Sequence, residues 1–318
     1  DANNQLVEVS YPGAGGLLSE KFGYDKAGNR LTRERHTADS IIMETYRHNN
    51  CNRIKELNRR TYEPDGVTPK LKKSPAVSNN PDAVASYIGE TSYYGYDRSG
   101  NLLNDGNATY TYDGFGRTAE VKMANGNSQI NRYDAEGLRA EMEENGQLVQ
   151  FLFNGEKEVI AEETDGEVIR YIRGLGIISS DSESARTYYH YVSDNQGSVR
   201  LILTDTVNDR RIRNYYCYDA FGESVISHED IHNRFRFNGE QYDPVTSQYY
   251  LRARFYNPVI GRFTQEDTYY GDGLNLYEYC RNNPMLYRDP NGHDAVNQGN
   301  LYKNGKYSEA EIKSIIDN

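Results

Sequence analysis

The chain has 318 residues and a formal net charge of −11, with an isoelectric point near 5.2. This acidic balance argues against generic binding of nucleic acid, because contact with phosphate groups needs a basic surface. No apolar run reaches the roughly 18 residues that a membrane-spanning helix needs, so the sequence predicts no membrane span. The chain starts with the polar run DANNQLVEVS, so we expect any secretion signal to precede Asp1.

Tyrosine dominates the aromatic content of the chain. Only 36% of the residues are hydrophobic, tryptophan is absent and the mean hydropathy is −0.87, whereas there are 29 tyrosines. A tyrosine ring buries a large apolar area while its hydroxyl can stay in water. The composition therefore predicts broad sheets with shallow, semi-polar layers on both faces.

The three cysteines, Cys51, Cys217 and Cys280, are widely spaced and form no Cys-x-x-Cys pair. Their odd number and their spacing argue against a zinc site and against a disulfide framework. We interpret them as free or buried thiols, and the sequence predicts no cofactor and no bound metal.

A short unit built on Tyr-Asp-x-x-Gly recurs along the chain. In each copy we expect Asp to accept hydrogen bonds from the backbone that follows it, while Gly supplies the positive φ that closes the turn. Each copy therefore predicts a strand, a tight turn and a return strand, and hairpins laid side by side predict a long, curling antiparallel sheet. The predicted turn aspartates are Asp25, Asp97, Asp113, Asp134 and Asp219, with a degenerate copy at Asp194.

Three segments depart from this repeat. Residues 61–92 contain four prolines and few alternating apolar residues, so they predict a loop insertion. Residues 155–186 keep strand character but lose the Tyr-Asp signature. Near the end of the sequence, Ser308-Glu309-Ala310-Glu311 is a capping box that predicts a short helix through Ile315 and Ile316.

The segment from Tyr242 to Gly292 joins a tyrosine-rich strand pattern to two separated aspartates. The run Gln248–Phe255 predicts one strand, Asn257-Pro258 breaks it, and Gly261-Arg262-Phe263 predicts extended structure before Asp267. The second aspartate, Asp289, precedes a proline.

The repeats resemble the YD repeats of the Rhs, teneurin and Tc-toxin C-subunit families. Residues 242–292 resemble the Rhs-associated core motif that closes such arrays, since Arg-Phe-Tyr-Asn-Pro, Gly-Arg-Phe, Asn-Leu-Tyr-x-Tyr, Asn-x-Pro and Asp-Pro-x-Gly occur in order. The resemblance implies an all-β spiral of hairpins, a partial shell over residues 1–240, closed by a core segment at 241–292. Residues 293–318 would start a variable tail, with more repeats expected before Asp1 and a toxin domain after Asn318.

The same resemblance implies self-cleavage by an aspartic-protease-like site made of Arg254, Asp267 and Asp289. It places the cut after His293, with Gly292 and Asp294 as its neighbours. Two carboxylates held close cannot both ionise, so one can act as an acid while the other activates water.

Two positions depart from the family pattern near this predicted cut. Thr268 follows Asp267 where the family usually has proline, and His293 replaces the usual Leu, Met or Phe. If an apolar side chain positions the scissile bond, His293 would position it less well.

Simpler interpretations of these residues stay open. Asp289 could be only a turn former and Asp267 a strand-end cap. Arg254 could lie on the wetted face of a strand. His228 and His232 superficially suggest a metal site, but no third ligand follows, and a solvated loop explains them better.

Three classes of function remain. The first is a secreted or cell-surface toxin-delivery shell, whose partners would be its own C-terminal toxin and components of a secretion system or cell surface. The second is an adhesive or carbohydrate-binding surface, because exposed aromatic rings stack on sugars. The third is an inactive scaffold.

Overall fold

The computed structural model describes residues 1–12, 16–70, 88–182, 184, 187–205, 211–271 and 273–297. Regular structure within these ranges consists of β-strands and two short 3-10 helices, Phe237–Gly239 and Cys280–Asn282. The predicted all-β class is therefore confirmed. The predicted helix at 308–316 lies outside the described residues.

The strands form four antiparallel sheets, and within each sheet every strand pairs with its neighbour along the chain. The first sheet contains β1 (Glu8–Ser10), β2 (Leu17–Tyr24), β3 (Arg30–Thr37), β4 (Ile41–His48), β5 (Ile54–Tyr62) and β6 (Gly89–Tyr93). The second contains β7 (Gly95–Tyr96), β8 (Leu102–Asn104), β9 (Ala108–Tyr112), β10 (Thr118–Met123), β11 (Ser128–Tyr133), β12 (Arg139–Glu144), β13 (Gln147–Phe153), β14 (Val159–Thr164), β15 (Glu167–Arg173), β16 (Ile177–Ser182), β17 (Tyr188–Ser193), β18 (Val199–Thr204), β19 (Ile212–Tyr218) and β20 (Ser224–Glu229). The third, here called the core sheet, contains β21 (Gln241–Asp243), β22 (Gln248–Leu251), β23 (Arg254–Asn257) and β24 (Arg262–Phe263). The fourth pairs β25 (Tyr287–Arg288) with β26 (Val296–Asn297).

Both ends of the predicted insertion at 61–92 belong to strands. β5 continues to Tyr62, and β6 starts at Gly89 and pairs with it. Residues 71–87 lie outside the described residues. The first sheet therefore extends further into this segment than its prolines suggest.

The Tyr-Asp-x-x-Gly units form the predicted turns. In the copy at Asp113, the Oδ1 atom accepts the backbone N–H groups of Phe115 and Arg117 at 2.9 and 3.0 Å, and Gly116 has φ 78°. The same side-chain acceptor pattern recurs at Asp25, Asp134, Asp194 and Asp219, and at Asp97 the Oδ1 atom accepts the backbone N–H of Asn101. The turn role of these aspartates is thereby confirmed.

In three of the units the tyrosine links one repeat to the repeat before it, whereas the buried hydroxyl of Tyr24 in the first unit has no such partner. The hydroxyl of Tyr112 donates to the carbonyl of Leu102, that of Tyr133 to Thr118 and that of Tyr218 to Val199, at 2.7 to 2.8 Å. The expectation that these hydroxyls stay in water is therefore wrong. Burial raises the pKa of the Tyr133 hydroxyl well above its ordinary value, as expected for a phenol that remains protonated.

This link explains why the repeat uses Tyr rather than Phe. We expect Tyr133→Phe to lower the free energy of unfolding by about 1 kcal/mol, because the carbonyl of Thr118 loses a buried donor. Urea denaturation would measure the change, with Tyr93→Phe as the control because that side chain is exposed. Equal effects of the two substitutions would contradict the link.

Side-chain contacts join the end of the second sheet to the first sheet. Arg33 of β3 is fully buried and pairs with Asp219 at 2.5 Å and Glu223 at 3.1 Å, both in the turn between β19 and β20. The rings of Phe22 and Phe221 meet edge to face at 5.2 Å between centroids. The turn at Asp219 thus both closes a hairpin and joins the second sheet to the first.

The core sheet contacts both of the larger sheets. Buried Asp243 of β21 pairs with Arg139 of β12 through both carboxylate oxygens, and Tyr249 of β22 donates to the carbonyl of Gly222 at 2.9 Å. Arg262 of β24 donates to the carbonyl of Asn52 at 2.8 Å, in the turn before β5. The core sheet therefore contacts the beginning, the middle and the end of the repeat array.

The predicted single strand Gln248–Phe255 is wrong, because it is a hairpin. β22 ends at Leu251, β23 starts at Arg254, and Arg252 takes a left-handed φ of 62° between them. This reversal leaves Arg254 only 4% exposed, so its interpretation as part of a wetted strand face is also wrong.

Candidate active site

Three residues predicted from distant parts of the sequence meet in one buried site. Arg254 starts β23, Asp267 follows β24, and Asp289 follows β25. Arg254 Nη2 lies 2.6 Å from Asp267 Oδ2 and 3.9 Å from Asp289 Oδ2. All three side chains are buried, so one guanidinium bridges two carboxylates away from bulk solvent.

The remaining contacts of Arg254 fix its guanidinium. Its Nε donates to the carbonyl of Gly292, and its Nη1 donates to the carbonyl of Leu276 at 3.0 Å. The guanidinium also lies 3.6 Å from the centroid of the Phe263 ring. A planar side chain held on several sides keeps one orientation, as a charge-stabilising group in a catalytic site requires.

Asp289 holds the backbone of the predicted cleavage segment. Its Oδ1 accepts the N–H groups of Asn291, Gly292 and His293 at 3.2, 2.7 and 3.1 Å. Burial raises the pKa of this carboxyl to about 6, although Arg254 and the three backbone donors act in the opposite direction. Asp289 is therefore a turn former, as the simpler interpretation proposed, and also a group that carries a proton in mildly acidic solution.

Asp267 has a different environment from Asp289. Its Oδ1 accepts the N–H of Tyr269 at 2.8 Å and contacts His293 Nδ1 at 2.7 Å, while its Oδ2 faces Arg254. Its two oxygens thus face a guanidinium, an imidazole and a backbone donor. Such unequal surroundings are typical of carboxylate pairs that divide acid and base roles.

The residues around the predicted cut lie against the hairpin between β22 and β23. A Cβ atom on Gly292 would stand 2.5 Å from the carbonyl oxygen of Leu251, and Gly292 has φ 82°. Only glycine fits both restrictions. The N–H group of Asp294 donates to Asn291 Oδ1 at 3.0 Å. Gly292, His293 and Asp294 therefore belong to one ordered turn beside the site.

A small cavity adjoins the two carboxylates. Its volume is about 10 Å³, and its lining includes Arg254, Asp267, Asp289 and His293. A polar space of this size accommodates about one water molecule.

His293 does not occupy the site as an apolar side chain would. Its imidazole binds Asp267, and its backbone N–H donates to both Asp289 Oδ1 and Asn291 Oδ1. The residue before the predicted cut is therefore held by polar contacts on ring and backbone. Sequence reasoning missed this pairing because imidazole and carboxylate are 26 residues apart.

The histidines at 228 and 232 pair with different carboxylates. His228 lies in β20, stacks on Tyr215 and pairs with Asp230 at 2.9 Å, while His232 pairs with Glu162 at 2.8 Å. The loop predicted for His228 is therefore wrong. In the described part of the chain no group of three His, Cys, Asp or Glu side chains is placed to hold a metal ion. The described residues also contain no helix that is long and apolar enough to cross a membrane.

Comparison with known proteins places these observations in a family. A family model described as Teneurin YD-shell matches residues 1–288. The chain is 30% identical over 280 residues to the tRNA3(Ser)-specific nuclease WapA of Bacillus spizizenii, an alignment that covers 83% of the chain and 11% of that protein. It is 40% identical over 81 residues to the toxin subunit YenC2 of Yersinia entomophaga, covering 24% of the chain and 8% of the subunit.

A solved structure shows the same fold. The Tc holotoxin pore of Photorhabdus luminescens, with a mutated TccC3 component, matches 89% of the chain with a TM-score of 0.54 and 14% identity, and the match covers 16% of the solved chain. The chain spans about a tenth of the length of its WapA relative.

Proposed function

Because the chain belongs to the teneurin YD-shell family, we propose that it is the closing part of a shell that encloses a C-terminal toxin and releases it by cutting itself after His293. The observation that carries this proposal is the convergence of Arg254, Asp267 and Asp289 on the turn that contains the cut. The toxin-related relatives support a partner of this kind, and a shell with this role would be secreted or displayed on a cell surface.

The geometry supports a hydrolytic step with divided roles. Asp267 takes a proton from a water molecule in the adjoining cavity, and the water oxygen forms a bond to the carbonyl carbon of His293. Asp289 gives its proton to the amide nitrogen of Asp294 as the peptide bond breaks. The products are a new carboxyl group on His293 and a new amino group on Asp294. Asp267 has gained one proton and Asp289 has lost one.

Arg254 has two roles in this step. Its contact with the carbonyl of Gly292 fixes the chain one residue before the cut. Its positive charge between the carboxylates offsets the negative charge that develops on the attacked carbonyl.

Intact mass spectrometry of the purified chain tests the proposal. We expect the wild type to lose residues 294–318, and Asp289→Asn to keep its full mass because the amide cannot supply the proton. A wild type that stays whole from pH 5 to pH 8 would leave an adhesive surface or an inactive scaffold as the function.

The rate of cleavage should depend on pH with a definite sign. The pKa of Asp289 is raised to about 6, so its protonated form prevails below that pH and is lost as the pH rises through it. We expect the rate constant at pH 8 to be about 100-fold below its value at pH 5 to 6. A time course of tail loss in cell-free synthesis at several pH values measures it, and a rate that rises with pH would refute the acid role of Asp289.

A further inference from the structure

One segment of the core lies between the candidate active site and the turns of the repeat array. It runs from Leu274 to Asn283, after the loop that carries Asp267. One side of it contributes to the site cavity through Leu276 and Glu278. Its other side contacts turns that begin far away in the sequence.

The turn between β2 and β3 binds this segment through backbone carbonyls. The Nδ2 atom of Asn275 donates to the carbonyl of Ala27 at 3.0 Å and contacts Asn29 Oδ1 at 3.1 Å. The Nδ2 atom of Asn282 donates to the carbonyl of Gly28 at 2.8 Å. The first Tyr-Asp-x-x-Gly turn therefore docks on the core as well as reversing the chain.

Arg53, in the turn before β5, makes a second connection. Its Nε donates to the hydroxyl of Tyr277 at 2.9 Å, and its Nη2 pairs with Glu266 at 2.8 Å. Its Nη1 donates to the carbonyl of Asp97, which starts another repeat turn. Arg53 thus joins two shell turns to Glu266 and Tyr277 at once.

These two core residues are direct neighbours of groups in the site. Glu266 precedes Asp267, and Tyr277 follows Leu276. The carbonyl of Leu276 accepts both the N–H of Asp267 and Nη1 of Arg254, each at 3.0 Å. A displacement of Glu266 or Tyr277 would therefore move the backbone that sets the distance between Arg254 and Asp267.

We propose that Arg53 is a positioning residue for self-cleavage: docking of the N-terminal hairpin turns on Glu266 and Tyr277 completes the site, so that the chain cuts itself only after the repeat sheet has closed around the core. This inference rests on the proposed function. It adds a form of regulation to that function, because a shell that is still open would not release its toxin.

The burial of Arg53 is consistent with this role. Its side chain is 16% exposed, and its partner Glu266 is 27% exposed. The pair lies at the edge of the interface, so its loss should shift the docked segment without leaving a buried charge in the core. The contacts of the Asn29 turn would remain in place.

The test compares cleavage rates of folded variants in cell-free synthesis at pH 6. We expect Arg53→Ala to slow cleavage by about tenfold or more, since small misplacements of catalytic groups have such effects. Arg53→Lys should recover part of the rate through its charge on Glu266. The matched control is Arg47→Ala, near the end of β4, because Arg47 is 75% exposed and pairs only with Glu56 among the described salt bridges.

A double-substitution cycle separates positioning from general destabilisation. Tyr277→Phe removes the hydroxyl that Arg53 binds, together with the contacts of that hydroxyl to the carbonyl of Gly100 and to Glu266. Tyr277→Phe and Arg53→Ala together should therefore slow cleavage by less than the product of the two single effects. Additive effects, or a folded Arg53→Ala that cuts at the wild-type rate, would overturn the inference and leave the proposed function intact. An uncut wild type would instead overturn the proposed function. If Arg53→Ala does not fold, Tyr277→Phe alone tests the inference. This variant keeps the buried ring and should still slow cleavage.

Discussion

Arg254→Lys is expected to slow self-cleavage by about 100-fold to 1,000-fold although it keeps the positive charge. A lysine ammonium carries its donors on one nitrogen, which cannot take the separate positions from which Nε, Nη1 and Nη2 of Arg254 reach Gly292, Leu276 and Asp267. Loss of one aligned donor in a catalytic site has an effect of this size. The rate of tail loss, followed by intact mass, measures it.

The control for this variant is Arg132→Lys on β11. Arg132 is about half exposed and pairs with Glu141 and Glu143 on the surface of the sheet, so its replacement should leave the cleavage rate unchanged. If Arg254→Lys also cut at the wild-type rate, the orientation of the guanidinium would have no role in the step.

Arg33→Met is expected to have the largest effect on stability. Arg33 is fully buried and pairs with Glu20, Asp219 and Glu223, so its removal leaves the buried carboxylates of Glu20 and Asp219 with only the more distant Arg35 as counter-charge, at 3.4 and 3.8 Å. Breaking a buried ion pair in this way costs about 3 to 5 kcal/mol. Urea denaturation measures the loss, and the exposed residue Arg47 provides the control as Arg47→Met.

The loss in Arg33→Met should be larger at pH 8.5 than at pH 5.5. Burial raises the pKa of Asp219 to about 7 even with Arg33 present, so its protonated form is favoured in the folded chain below that value. Without Arg33, a charged Asp219 has less compensation by positive charge. The destabilisation is therefore smaller at pH values at which Asp219 is protonated. A destabilisation that is equal at both pH values would show that Arg33 acts through packing rather than through charge.

The repeat turns could be predicted from sequence because their chemistry is local. Two further turns escaped the pattern, although Asn49 and Asn154 accept the same backbone hydrogen bonds as the aspartates. In these copies Asn replaces Asp, and Asn52 and Lys157, each with φ 60°, replace Gly. The geometry is retained while both signature residues are lost, so a search for Tyr-Asp-x-x-Gly cannot find them.

The β22–β23 hairpin could not be predicted for a related reason. Its two connecting residues are Arg252 and Ala253, and neither is a residue that typically marks a turn. The surrounding Tyr and Phe residues all favour strands, which made one long strand the natural prediction. The position of Arg254 in the site depends on this reversal.

The candidate site could be predicted only in part. Arg254, Asp267 and Asp289 follow from family motifs, because their types and order are visible in the sequence. Leu276 contributes a carbonyl rather than its side chain, so no residue pattern indicates it. The pairing of Arg33 with Asp219 spans 186 residues and depends on the closure of the whole sheet, which local patterns do not encode.

The most direct test of the account is synthesis of the wild-type chain in water enriched in ¹⁸O, followed by mass spectrometry of the fragments. We expect an N-terminal fragment that ends at His293 and carries one ¹⁸O atom in its new carboxyl group, because an activated water cuts the bond. Asp267→Asn and Asp289→Asn should give no such fragment. A chain that stays whole, or one cut at the acid-labile bond between Asp289 and Pro290 regardless of these substitutions, would contradict the account.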